Sequence, residues 1–170
     1  MYRAIRSALF GALALVLFVP AALAAGLTTP KGEVILTVSG RIATTNRDAT
    51  AVFDRDMLEA LPGRTTETET PWTKGRARFR GPLGSALLDA VGAEGTTLHI
   101  VALNDYAVDV PVEDFRKWPV ILATRKDDQP MSVRDKGPLF VIYPFDLDRG
   151  LYNEKYFSRS AWQVKSIEVR

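Results

Sequence analysis

Any chemistry in this chain is done without thiols and almost without imidazoles. Its 170 residues include no cysteine and a single histidine, His99. Disulfides, thiolate metal sites, iron–sulfur clusters and cysteine nucleophiles are therefore excluded, as are most zinc and histidine-based catalytic designs. Carboxylates, hydroxyls, amines and aromatic rings remain. They gather most densely at Ser132-Val133-Arg134-Asp135-Lys136-Gly137-Pro138. Two cations flank a carboxylate there, and Gly137 lets the backbone approach a ligand closely. Such a loop holds an anionic or heterocyclic head group, or else is a solvated turn with a local ion pair.

Three other places offer recognition chemistry. Asn104-Asp105-Tyr106 reads either as a ring-binding tip, with an amide and a carboxylate beside an aromatic face, or as a plain turn before a core tyrosine. Trp72 follows Pro71 with no helical or strand periodicity, so it is a stacking platform or a lid over the core edge. In Tyr156 to Trp162, Ser158 and Arg159 either line a pocket or accompany a core Trp162. Arg76, Arg78 and Arg80 alternate, as an anion-binding row or an exposed sheet face would. His99, between Leu98 and Ile100, reads as a structural or surface histidine. No GxSxG, P-loop, HExxH or zinc spacing occurs.

The elements that must position these residues are mostly short strands. Alternation predicts strands at 33–42, 49–53, 64–70, 77–79, 97–103, 106–110, 120–124, 139–143 and 161–169. Both faces of 64–70 look polar. Helices are predicted at 55–61, capped by Asp54 and stopped by Pro62-Gly63, at 83–91, with Gly92 just beyond its end, and at 112–118. Asn104-Asp105 and Asp127 to Pro130 are turns. The expected class is α+β, mostly β: one curved mixed sheet system with short helices on one side.

Composition suits one domain, with 46% hydrophobic and 25% charged residues. Residues 1–24 read as a signal peptide. Arg3 and Arg6 precede the apolar run Ala8 to Val19, and Ala22-Leu23-Ala24 is a cleavage signal. The run is shorter than the about 20 residues of a membrane span. The expectation is Sec export to the periplasm with cleavage after Ala24 and no retained span, then a tether at 25–32 and a single domain at 33–170. Lys and Arg number 22 against 20 Asp and Glu, so losing Arg3 and Arg6 brings the two into balance. With no long basic run, a nucleic-acid partner is not expected.

From about residue 50 onward the chain resembles the molybdopterin-binding, sulfite oxidase-type fold family. The resemblance rests on Leu58-Glu59-Ala60-Leu61-Pro62, Trp72, Phe79-Arg80-Gly81-Pro82-Leu83 and Leu87-Leu88-Asp89-Ala90-Val91-Gly92. It continues through Asn104-Asp105-Tyr106, Leu122-Ala123, Lys136-Gly137-Pro138-Leu139, Tyr143-Pro144 and Ser158 to Val169, in order. That family holds its metal by a cysteine between the leucine–proline helix and the Gly-Pro-Leu turn, an interval that here contains none. A hydroxyl or carboxylate cannot replace a soft thiolate on molybdenum without changing the site's electronics. The leader also lacks the Arg-Arg pair by which cofactor-loaded enzymes are exported folded. Both features argue against a molybdenum cofactor.

What the resemblance implies instead is the role of small periplasmic members of this fold. They bind reduced pterins and convey that state to the periplasmic domain of an inner-membrane diguanylate cyclase/phosphodiesterase. The expected pocket has Trp72 or Tyr106 on the ring face and Asp105 or Asp135 on the 2-amino/N3 edge. Arg134, Lys136 and Ser158 contact oxygens, and Asn104 and Arg159 complete it. The alternatives are a molybdopterin-dependent oxidoreductase with a non-cysteine ligand and a structural adaptor of the envelope.

Overall fold

The structure, a computed structural model, describes residues 26–170, so the predicted signal peptide at 1–24 lies outside the described residues. The apolar alternation after Val34 becomes strand β1 (Leu36–Gly40), with Leu36 and Val38 buried. A turn at Asn46-Arg47-Asp48 leads to β2 (Ala51–Phe53). Asp54 then caps helix α1 (Arg55–Glu59) by accepting from Met57 N at 2.9 Å. Its other oxygen accepts from Lys31 and Gly32 N, both at 2.8 Å. The end of the predicted tether is therefore fastened to the domain, and Leu27 packs on its core.

Strands β3 (Gly63–Glu69) and β4 (Arg76–Pro82) form a hairpin, followed by α2 (Gly84–Ala90), β5 (Thr97–Ala102), β6 (Ala107–Pro111) and α3 (Val112–Lys117). Gly92, at φ +58°, ends the α2 region in the left-handed conformation that its position predicts. Next come β7 (Ile121–Ala123), β8 (Arg125–Lys126), β9 (Gln129–Pro130) and β10 (Phe140–Ile142). The chain closes with α4 (Glu154–Arg159) and β11 (Val164–Val169). The fold is α+β and mostly β, as composition and periodicity predict.

The single sheet system expected from sequence is instead three sheets. β2-β1-β11-β5-β6 is a five-stranded mixed sheet in which only β1 and β11 run parallel. β3-β4-β8-β9 is antiparallel, and β7-β10 is a separate antiparallel ribbon. The ribbon explains the division, because it is buried on both faces. Leu122, Leu139, Val141 and Tyr143 point into the larger core cluster under the five-stranded sheet. Ile121, Ala123, Phe140 and Ile142 point into a second cluster with Phe79 and Met131. A strand covered on both sides needs an apolar residue at every position, which is why 120–123 and 139–143 are unbroken apolar runs.

Two strands differ in character from their letters. β3 carries Thr66 and Thr68 inward, both buried, as is Thr70 just beyond it, while Thr65, Glu67 and Glu69 face solvent. Its threonines thus form an inner face of hydroxyls and methyls, not a second polar surface. On β4, Ala77 and Phe79 face inward and Arg76, Arg78 and Arg80 outward, so the arginine row is the exposed sheet face. Arg78 pairs with Asp128 at 2.8 Å and Arg76 approaches Glu67 at 3.9 Å. At His99, Nδ1 lies 2.6 Å from Asp109 Oδ1 on the neighbouring strand, a surface pairing.

Candidate functional site

A cavity of about 390 Å³ opens between the loop carrying Trp72, the tip of the β5–β6 hairpin, α4 and the entry to β11. Its walls are aromatic: Trp72, Tyr106, Phe157 and Trp162. The turn after β3 sets Trp72. Thr70 Oγ1 accepts from Trp72 N at 3.3 Å and lies 3.0 Å from Thr73 Oγ1. The half-buried indole then meets Phe140, Phe157 and Trp162 edge-on, with ring centroids at 5.5, 5.9 and 5.5 Å. Such edge-to-face contacts are worth about 0.5–1.5 kcal/mol each beyond area burial. Trp72 therefore packs against the second core cluster and also forms a wall of the cavity.

The hairpin tip supplies the opposite side. Asp105 adopts φ +64°, and Asn104 Oδ1 accepts from Tyr106 N at 3.2 Å. That local bond turns the chain and leaves Tyr106 51% exposed, lining the cavity instead of filling the core. Asp105 itself does not line the cavity. Lys165 Nζ donates to its Oδ1 at 2.6 Å. This bond holds the carboxyl below its ordinary range.

Helix α4 forms the third side and was not predicted, although Asn153 is an N-cap signal. Its Oδ1 accepts from Lys155 N at 3.0 Å, and Glu154 follows in the first turn. A buried polar clamp holds its far end. Arg159 Nη1 and Tyr143 Oη both donate to Asp114 Oδ2, each at 2.7 Å. Burial, then the Asp114 carboxylate it faces, push the Tyr143 phenol far above its ordinary value, so it remains a donor. Arg159, a candidate ligand contact by sequence, is thus occupied in joining α4 to α3.

The structure therefore divides the predicted site. Trp72, Asn104, Tyr106 and Ser158 come together around one cavity, whereas Arg134, Asp135 and Lys136 line a smaller one of about 250 Å³ with Lys126. Trp72 borders both. Beside the second cavity Ser132 Oγ donates to Asp135 Oδ2 at 2.7 Å, a hydrogen bond within the turn where a local ion pair was the alternative expected from sequence. Lys136 Nζ sits 4.4 Å over the Trp162 ring. Glu154, Phe157 and Ser160 line the main cavity and were not selected from sequence. Glu154 and Phe157 belong to the unpredicted helix.

The donor set does not fit a molybdenum centre of the family that the sequence resembles. Between α1 and Gly81-Pro82-Leu83, the interval that lacks a cysteine, the buried hydroxyls are those of Thr66 and Thr68 on β3 and Thr70 just after it, and Thr66 Oγ1 has no hydrogen-bond partner. Neutral hydroxyls on a closed sheet face cannot act as a soft anionic ligand. Among the described residues, no group of three or more His, Asp or Glu side chains is placed to hold a metal. No described helix is long and apolar enough to cross a membrane. The chain matches no protein-family model and no curated protein.

Proposed function

We propose that this domain is a sulfite oxidase-type fold that binds a reduced pterin between Trp72 and Tyr106, without a catalytic metal. The observation that carries the reading is the aromatic cavity, with Asn104, Glu154 and Ser158 at its edge. At about 390 Å³ it falls within the about 300–1,000 Å³ of small-molecule pockets. A flat heterocycle suits ring walls, since stacking on an aromatic side chain contributes about 1–3 kcal/mol. A micromolar constant requires about −8 kcal/mol. One stack, ring burial and two hydrogen bonds of about 1.5–3 kcal/mol to charged groups approach that value.

In this reading the protein acts in the periplasm as a ligand-dependent regulator and not as an oxidoreductase. Its partner is the periplasmic domain of a membrane diguanylate cyclase/phosphodiesterase, the role that the family resemblance implies. The test is calorimetric titration of the purified protein with 6-methyltetrahydropterin under anaerobic conditions. One-to-one binding at micromolar affinity or better is expected, with a change in tryptophan emission because two indoles line the cavity. No heat at several temperatures would remove the ligand and leave a structural adaptor. Near-stoichiometric molybdenum in protein made in its native compartment would instead restore the oxidoreductase.

A further inference from the structure

The polar groups of the aromatic cavity are unevenly committed. Ser158 Oγ donates to Lys155 O at 2.9 Å and Ser160 Oγ to Tyr156 O at 2.8 Å, so their single protons are spent on the backbone. Asn104 uses Oδ1 on Tyr106 N, which leaves its Nδ2 protons free of that bond. Neighbouring cations are also engaged. Lys155 Nζ lies 5.2 Å over the Tyr156 ring, Arg159 is on Asp114 at 2.7 Å, and Lys165 is on Asp105 at 2.6 Å. Glu154 is the only carboxylate lining the cavity, and it has no ion-pair partner among the described residues.

An ionised carboxylate only accepts hydrogen bonds, and its two oxygens match two adjacent N–H groups. We infer that Glu154 is the specificity-determining residue of this cavity. It pairs with the amino and ring N–H donors of a 2-amino-4-oxo pyrimidine-fused heterocycle, while Asn104 Nδ2 serves a carbonyl on the same ring. The inference rests on the pterin reading and adds which edge is read, and by which side chain. It also moves that role away from Asp105, tied to Lys165, and Asp135, which lines the other cavity. A ring with a 2-oxo group in place of the 2-amino group turns an acceptor toward the carboxylate. Glu154 then repels that edge, and discrimination follows from the mismatch.

The test compares 6-methyltetrahydropterin with its 2-oxo counterpart, 6-methyltetrahydrolumazine, on the wild-type protein and on Glu154→Gln. Glutamine has the same shape, and the site is exposed on the first turn of α4, so the fold is retained. The wild type should prefer the pterin by about tenfold or more. Glu154→Gln should lose most of that preference, through weaker pterin binding with lumazine binding unchanged or improved. Wild-type and variant proteins with the same pterin-to-lumazine ratio would overturn the inference while leaving the pterin function standing. A wild-type protein that binds neither compound overturns both.

Discussion

Arg159 was a ligand contact by sequence and is a clamp in the structure, and Arg159→Met separates the two roles. Asp114 Oδ2 accepts from Arg159 and from the fully buried Tyr143, and the ion-pair side chains are 20% and 11% exposed. Removing one partner of a buried pair costs about 3–5 kcal/mol, because the other charge is left without compensation. Arg159 retains some water contact, which brings the expected loss to about 2–3 kcal/mol. At roughly 3 °C per kcal/mol for a domain this size, Tm should fall by about 6–9 °C. Tyr143→Phe keeps the ring and loses one hydrogen bond to a charged group, about 1.5 kcal/mol or 4–5 °C. The decisive case adds Asp114→Asn to Arg159→Met. With the stranded charge removed, part of the lost Tm should return. The assay is thermal unfolding at pH 7 followed by circular dichroism. A wild-type Tm for Arg159→Met, or no recovery in the double variant, would refute the clamp.

Other outcomes follow from the same geometry. Trp72→Ala removes three edge-to-face contacts and one wall of the cavity, so pterin affinity should fall by about tenfold or more. An unchanged binding constant would take Trp72 out of the site. Gly81→Ala should cost about 2 kcal/mol or more in urea denaturation. Its Cβ would lie 2.7 Å from the Leu122 carbonyl carbon and closer still to the oxygen, against backbone that cannot step aside. Acid should destabilise the fold through Asp54. Hydrogen bonds from the Gly32 and Met57 amides lower its pKa below the ordinary 3.8, so its contribution is complete above that value and lost as pH falls through the folded one. Asp54→Asn should flatten that acid limb of stability against pH. An equally steep limb in the variant would assign it to other carboxylates.

Much of the backbone was legible because local physics decides it. Asp54 before α1 and Gly92 beyond α2 sit where capping chemistry places them. The strand at 97–103 and its return across Asn104-Asp105 needed only alternation and turn residues. Legibility failed where a segment's surroundings set its character. Thr66 and Thr68 look polar as letters, yet cross-strand pairing with Phe79 and Ala77 turns them inward. The α4 segment has an N-cap but mixed apolar spacing, and its helix is secured by Arg159 reaching Asp114, 45 positions earlier in the chain.

The site divides along the same line. Residue types alone excluded thiolate and most imidazole chemistry, since no fold can supply a side chain the chain lacks. They also marked Trp72, Asn104 and Tyr106, whose loop and hairpin-tip settings place them beside the cavity, and Ser158, which α4 brings there with its hydroxyl bonded to Lys155 O. Partnership needed tertiary structure. Asp105, Asp135 and Glu154 are equivalent carboxylates in a list of letters, and each becomes distinct only through what folds beside it. Lys165 occupies the first, Ser132 bonds the second, and the third belongs to a residue lining the aromatic cavity. A carboxylate's chemistry is set by which donors lie within about 3 Å of it; for Asp135 that donor is local, three positions away, whereas for Asp105 it is Lys165, 60 positions on, which only the fold brings beside it.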